Sequence, residues 1–414
     1  MNKLDELIQQ LCPNGVPYRR LGDIATICRG GSFQKKDFTE SGVPCIHYGQ
    51  IYTRYGLFVN ETITYIGEET AQKQKFAEPN DVVMAVTSEN IEDVCKCVAW
   101  LGDGKVAVSG HAAIIHHSMN PKYLVYWLHS SSFYQQKAKI ANGTKVIEVA
   151  PAKLSDVVLP VPPLEVQREI VRILDTFTEL TAELTAELTA RQKQYEYYRD
   201  MLLSFGENGG GETGNNINFF LVAEIADTNI GLATTVTKYK ANQGVLLIHN
   251  SDIQENEIVL KQHEYITEAF AEKNHKKRLQ ENDVITVHTG DVGTSAVISK
   301  EYAGAIGFTT ITSRIRNPQK VLPEYFCHYL NSHRCKAEIA SMTISDRSNL
   351  NQNCFEKLRI PIPPIDEQRR IVTILDHFST LCTDLSSGLP AEIEARQKQY
   401  EYYRDKLLSF TPAD

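Results

Sequence analysis

The chain has 414 residues, 42% of them hydrophobic and 23% charged, which is enough apolar matter for two or three cored domains and wrong for a disordered protein. No run of 18 uncharged apolar residues and no apolar signal core near Met1 is present, so neither a membrane span nor secretion is expected. The net charge of −8 argues against bulk attraction to nucleic acid, and nine cysteines without a CxxC pair point to free thiols in a reducing cytoplasm.

Residues 1–163 read as a mixed α/β block behind a short N-terminal helix. Runs such as Val82–Val86 and Val106–Ser109 predict strands, and Pro121–Ala138 predicts one amphipathic helix opening on a proline. Three loops carry candidate nucleic-acid chemistry. CRGGSFQKKDF (28–38) sets Arg29, Lys35 and Lys36 around Gly30, Gly31 and Ser32; glycines let backbone approach a phosphate and the cations neutralise it. IHYGQIYTRYG (46–56) places His47, Tyr48, Gln50 and Arg54 where they can reach base edges or stack. ANGTK (141–145) exposes Asn142, Thr144 and Lys145, and Thr87 and Ser88 follow the Val82–Val86 strand. His111, His116 and His117 lack a partner at metal-ligand spacing and read as polar strand residues.

After the proline pair at 162–163, residues 164–206 form the first spacer. Glu165–Phe205 contains no Gly or Pro and predicts one long helix. Its apolar positions step by three and four as in a coiled-coil seam, with a 4–4 stutter across the TAEL units that contain Leu180, Leu184 and Leu188. A Gly-rich linker, 207–218, leads to a second block, 219–364. There NIGLATT (229–235) offers Thr234 and Thr235, and IHNSD (248–252) offers His249, Asn250 and Ser251. HTGD (288–291) adds His288 and Thr289, and SDRSN (345–349) adds Ser345, Arg347 and Ser348. Val284–Val287 and Ala296–Ser299 predict strands and Pro323–Ala340 a helix. Residues 365–410 predict a second long helix, broken near 386–390 by SSGLP.

The two halves are one repeat. RQKQYEYYRDMLLSF (191–205) returns as RQKQYEYYRDKLLSF (396–410) with 14 of 15 positions identical, and LPVPPLEVQREIVRILDTF (159–177) returns as IPIPPIDEQRRIVTILDHF (360–378). The blocks between have diverged, keeping only echoes such as PNDVVMAVT against ENDVITVHT. The expected fold class is α+β: two α/β domains in pseudo-twofold tandem repeat, separated by two long helices that pair as an antiparallel coiled coil. Identical outer faces beside diverged blocks predict one kind of partner docking twice. The first copy would use Arg191, Gln192, Gln194, Tyr195, Tyr198 and Arg199. The second would use Arg396, Gln397, Gln399, Tyr400, Tyr403 and Arg404.

Enzymatic signatures fail: there is no GxxxxGK[ST] loop, no GxSxG elbow and no Asn/Asp-Pro-Pro-aromatic motif, and Asp81 with Asp103-Gly-Lys105 only faintly resembles a nuclease set. The PxPP…EQ…IV.ILD.F step, the TAEL units and the RQKQYEYYRD helix resemble, over essentially the whole chain, the DNA-specificity subunit of type I restriction–modification systems. That resemblance implies two target-recognition domains that read a bipartite, asymmetric DNA site and no catalytic, metal or cofactor site on this chain. It also implies two methyltransferase subunits that use S-adenosylmethionine for adenine methylation and, through them, two restriction subunits that use ATP and Mg. From the residues alone, a non-catalytic coiled-coil scaffold and a nucleic-acid enzyme with an unrecognised active site stay open.

Overall fold

The computed structural model describes residues 3–205, 217–233, 235–342, 349–383 and 388–413. It divides into two compact units, residues 1–184 with 393–414, and residues 185–392. The expected spacers are therefore not separate bodies. The helix Leu164–Leu203 contributes its first half to one unit and its second half to the other, and Ile393–Asp414 returns to the first.

Each unit is built on two sheets that share one strand order. In the first unit one sheet runs Ala25–Arg29, Ala112–His117, Val82–Ala85, Cys97–Trp100, Phe58–Val59. The other runs Phe38–Thr39, Tyr65–Ile66, Val43–Ile46, Val106–Val108, Lys75–Ala77. The second unit repeats the first sheet as Ala226–Ile230, Thr310–Ile315, Val284–Val287, Ser295–Val297. It repeats the second as Lys240–Ala241, Glu264–Ile266, Val245–His249, Ile306–Phe308. The sequence echoes are thus equivalent strands, and what differs is an edge strand on each sheet. Val82–Ala85 and Val284–Val287 are central and buried at every position, which is why they read as unbroken apolar runs.

The single helix expected after each proline is in fact two, Pro121–Leu128 with Ser131–Ile140 and Pro323–Leu330 with His333–Met342. Serine makes the break. Ser130 Oγ donates to Trp127 O and accepts from Phe133 N–H, and Ser332 Oγ does the same with Tyr329 O and Cys335 N–H.

The retained helical motifs are explained by how they grip these helix pairs. Gln167 and Gln368 are buried; their Oε1 atoms accept the N–H of Asn120 and Leu322 at 2.9 Å, and their Nε2 atoms donate to Pro162 O and Pro363 O. Tyr123 and Tyr325 hydroxyls donate to Pro160 O and Pro361 O. Asp175 accepts from Tyr126 and Lys122, and Asp376 pairs with His328 at 2.7 Å. Val166, Ile170 and Leu174 share the first core with Tyr400 and Leu408, while Ile371 and Leu375 share the second with Tyr195 and Leu203. Each such side chain contributes roughly 1.5–3 kcal/mol by burial. The helix after the second Pro step ends at Thr383 and another begins at Leu389; residues 384–387, which overlap the expected break near 386–390, lie outside the described residues. No helix among the described residues is long and apolar enough to cross a membrane.

Candidate nucleic-acid interface

In the first unit, folding brings two of the expected loops together with the turn 109–111 around an open cleft of about 460 Å³ lined by Arg29, Gly31–Lys35, His47, Tyr48 and Ser109–His111. Lys35 and Lys36 stand exposed on a 3₁₀ turn, beside the exposed Ser32. Tyr48 is the floor: its N–H donates to Ser109 Oγ at 2.9 Å, and its ring centroid lies 4.6 Å from His47 and 4.9 Å from His111. The 141–145 turn joins the same rim because strand Ile147–Glu148 pairs with Thr87–Ser88, and the turn holds Asn142, Thr144 and Lys145 exposed. Arg54 is exposed at the C-terminal end of the helix Tyr48–Thr53.

Several expected readers turn out to be builders of the cleft. Arg29 donates to Gly110 O at 2.7 Å and pairs with Glu148 at 2.9 Å, so it ties loop to loop. Gly30 is required by internal packing against backbone, and Gly31 sits against the Gln74 side chain. A Cβ on Gly30 would lie 2.3 Å from Ser109 O, and one on Gly31 would lie 2.0 Å from Gln74 Oε1. His47 is buried and caps the helix Tyr48–Thr53 by accepting the Gly49 N–H, while Gln50 accepts the His47 N–H. Burial, helped by Lys35 and His111, pushes the His47 pKa down, which keeps the imidazole a neutral acceptor. Thr87 is buried with its hydroxyl 3.2 Å from His111 Nδ1.

Conversely, His111 is not a strand residue. It sits in the turn before Ala112 and lines the cleft, a position that spacing alone could not distinguish from its neighbours. His116 lies on the strand and pairs with Asp81 at 2.6 Å, and His117 is held neutral, its pKa pushed down to about 4 by burial. Asp81 also caps the turn at Glu78, and Lys105 pairs with Glu78, so the faint nuclease set is a network of turns. Among the described residues no group of His, Cys, Asp or Glu could hold a metal ion.

The second unit wires its loops by side chains. Asn250 Nδ2 donates to Thr289 O at 2.5 Å, Thr289 Oγ1 donates to Asn349 Oδ1 at 2.9 Å, and His288 O accepts the Leu350 N–H. His249 pairs with Glu264 at 3.0 Å and packs on Phe308, so it too is a positioning residue. Burial depresses the His288 pKa. Thr235 and Ser251 are exposed, whereas Thr234, Ser345, Arg347 and Ser348 lie outside the described residues. Missed altogether was the HKKR run at 275–278. Lys276, Lys277 and Arg278 line a cleft of about 220 Å³ with Asn229 and Arg314, and Lys277 Nζ braces the adjoining loop by donating to Ile230 O and Gly231 O.

The repeated helix faces are split by function. Arg199 and Tyr195 are buried: Arg199 pairs with Glu255 at 2.5 Å, and Tyr195 Oη accepts from Asn256 Nδ2. Burial raises the Glu255 pKa, but Arg199 and Lys336 outweigh it and hold the carboxylate below its usual range. Asp200 accepts the His333 N–H at 3.0 Å, as Asp405 accepts the Ser131 N–H at 3.3 Å, each capping the start of a domain helix. Tyr400 is buried, Arg404 packs on it and bonds Asp405, and Tyr198 and Tyr403 stack on Phe378 and Phe177 at 5.4 Å. Tyr195, Arg199 and Tyr400, expected on the partner face, are thus buried domain anchors, and the partly buried Tyr198, Tyr403 and Arg404 pack within their own units. Arg191 and Arg396 reach forward along their own helix and donate to Gln194 and Gln399. The identical residues left exposed are Gln192, Lys193, Glu196, Tyr197 and Ser204, and their counterparts Gln397, Lys398, Glu401, Tyr402 and Ser409.

Two copies of the type I restriction modification DNA specificity domain model match, at residues 13–191 and 216–395. The chain belongs to this family. A relative in this DNA-specificity family, the EcoR124I/EcoR124II type I restriction enzyme specificity subunit of Escherichia coli, is 35% identical over 302 residues, covering 70% of each chain. Two solved structures share the family fold. One, from work on complex assembly and conformational transition of the type I R-M system, has a TM-score of 0.66 at 20% identity and covers 96% of this chain and 98% of that one. The other, the type I S subunit from M. genitalium, has a TM-score of 0.52 at 14% identity and covers 96% of each chain.

Proposed function

We propose that this specificity-family chain reads a bipartite, asymmetric DNA site, one half per unit, and supplies recognition while partner subunits supply catalysis. The observation that carries this is the contrast within one repeat: equivalent sheets and helix grips support two loop rims of different chemistry. The first rim would offer Lys35, Lys36, Arg54, Tyr48, His111, Thr144 and Lys145 to the duplex, and the second Thr235, Ser251, Lys276 and Thr289. Two adenine methyltransferases, working with S-adenosylmethionine, would dock on the two repeated exposed helix faces, and ATP- and Mg-dependent restriction subunits through them, in the cytoplasm.

The test is to map methylated sites in cells that express the chain with its methyltransferase. The expected pattern is two half-sites of three or four base pairs separated by six or seven unread pairs, since readers on one face of the duplex sit about one turn apart. Inserting one TAEL unit after Leu188 adds four residues, roughly 6 Å of helix, against about 3.4 Å per base-pair step. The gap should widen by one pair, or two, with both half-sites kept. An unchanged gap would remove the ruler role from the helix, and a contiguous or symmetric motif would remove the two-reader assignment.

A further inference from the structure

We propose that Thr309 is a specificity-determining residue of the second unit, presented to a base edge by a strained backbone. The inference rests on the reading of each unit as a DNA reader.

Thr309 has φ +54°, in the left-handed region that a β-branched residue rarely enters. The other non-glycine residues there, among those described, are Asn80, Asn256 and Asn282, which tolerate it, and the buried Cys95. The first unit offers a comparison. His111 O accepts the Val86 N–H there as Thr309 O accepts the His288 N–H here, so His111 is the counterpart of Thr309; it lines the first cleft and lies outside the left-handed region. The second unit bends its backbone into that region at the same place.

The strain is maintained from two sides. The Thr309 N–H donates to Leu232 O at 2.8 Å, and its carbonyl accepts from the His288 N–H at 3.2 Å. Both neighbours belong to the wired loops, and His249 packs on the adjacent Phe308 at 5.3 Å. The side chain itself is partly exposed, and its hydroxyl donates to Phe308 O at 2.7 Å, which leaves lone pairs to accept. A threonine so held offers an acceptor to an adenine or cytosine amino group, or a methyl to thymine. Backbone strain that surrounding structure over-determines is found where a side chain must be aimed.

The experiment maps methylated sites for the full chain with its methyltransferase, unaltered and as Thr309→Gly and Thr309→Asn. Both substitutes tolerate the left-handed turn, so the unit should fold with an unchanged or raised melting temperature. The expected result is an intact first half-site, an intact gap, and a second half-site relaxed at one position, with about tenfold loss of discrimination there. Thr309→Asn should relax or change that same position. An unaltered motif for both variants would overturn the assignment, and so would uniform weakening at all sites with the motif kept, because a scaffold residue changes how much is methylated and a reader changes which sites are. If the unaltered chain itself gives no bipartite motif, the DNA-reader assignment of the units fails first; a normal motif that Thr309 variants leave untouched sinks only the present inference.

Discussion

The two units present the same helix segment to different ground. In the second, Arg199 is buried against Glu255, which Lys336 also holds at 2.7 Å. In the first, the equivalent Arg404 pairs with Asp405 on its own helix and packs on the Tyr400 ring, and the neighbourhood holds further aromatics, with Tyr126 at 6.3 Å from Tyr400. The inward residues are thus identical although their surroundings are not, and packing complementarity alone does not require the identity. The capping aspartates, which both meet a helix start, and Tyr198 and Tyr403, which stack on equivalent phenylalanines, are exceptions. The outward Tyr197 and Tyr402, 65% and 62% exposed, each pack edge-on to a neighbouring tyrosine, and Lys406 Nζ lies 5.8 Å from the Tyr402 ring.

The comparison can be broken most severely on that outward face. Tyr197→Ala with Tyr402→Ala should remove both methyltransferase partners, and either alone should leave one, as aromatic anchors at interfaces contribute about 2 kcal/mol or more each. Native mass spectrometry would count the partners; two retained by the double variant would place docking elsewhere. The melting temperature should not move, since neither ring is in a core.

The next largest effect separates the two grips. Glu255→Ala leaves Arg199 buried without its partner and should destabilise the second unit by about 3 kcal/mol. Asp405→Ala removes a cap and a partly buried pair within one helix and should cost the first unit about 1 kcal/mol. Hydrogen exchange along 185–203 and 393–407 reports each grip separately, and equal losses would erase the distinction.

The smallest expected effect is a response to acid. Burial pushes the His129 pKa down to about 4, with Arg404 adding to the fall, whereas the second unit has Asn331 at this position. A depressed folded pKa means that the unfolded chain binds the proton first, so this stability is present above pH 6.5 and is lost as pH falls through about 4. The ring keeps an accessible edge, which reduces the loss to about 1 kcal/mol. Denaturation of the wild type and of His129→Asn at pH 7 and pH 4.5 should show a shallower decline in the variant; parallel declines would assign the acid response to other groups.

Helices and central strands were legible in the residues because their signals are local. Leu164–Leu203 forms without a Gly or Pro to interrupt it, and Val82–Ala85 is apolar at each position because both faces are covered. The repeat and the family were legible for the same reason: Gln167 and Gln368 make the same bonds in each copy, and Asp175 and Asp376 each bond a side chain of the domain helix they face, so the same residue types recur at the same spacing. The division of labour along RQKQYEYYRD was not legible, because helical periodicity gives a buried face but not what lies against it. Arg199 became an anchor only when Glu255 arrived from a hairpin 56 residues away. In the loops, sequence offers residue type while tertiary structure assigns direction: Gly30 meets the backbone of Ser109, Arg29 is drawn to Glu148, and Thr309 is aimed by bonds from Leu232 and His288. Those contacts join segments far apart in the chain, and the bonds that close them, not any local propensity, decide which side chains remain free to meet DNA.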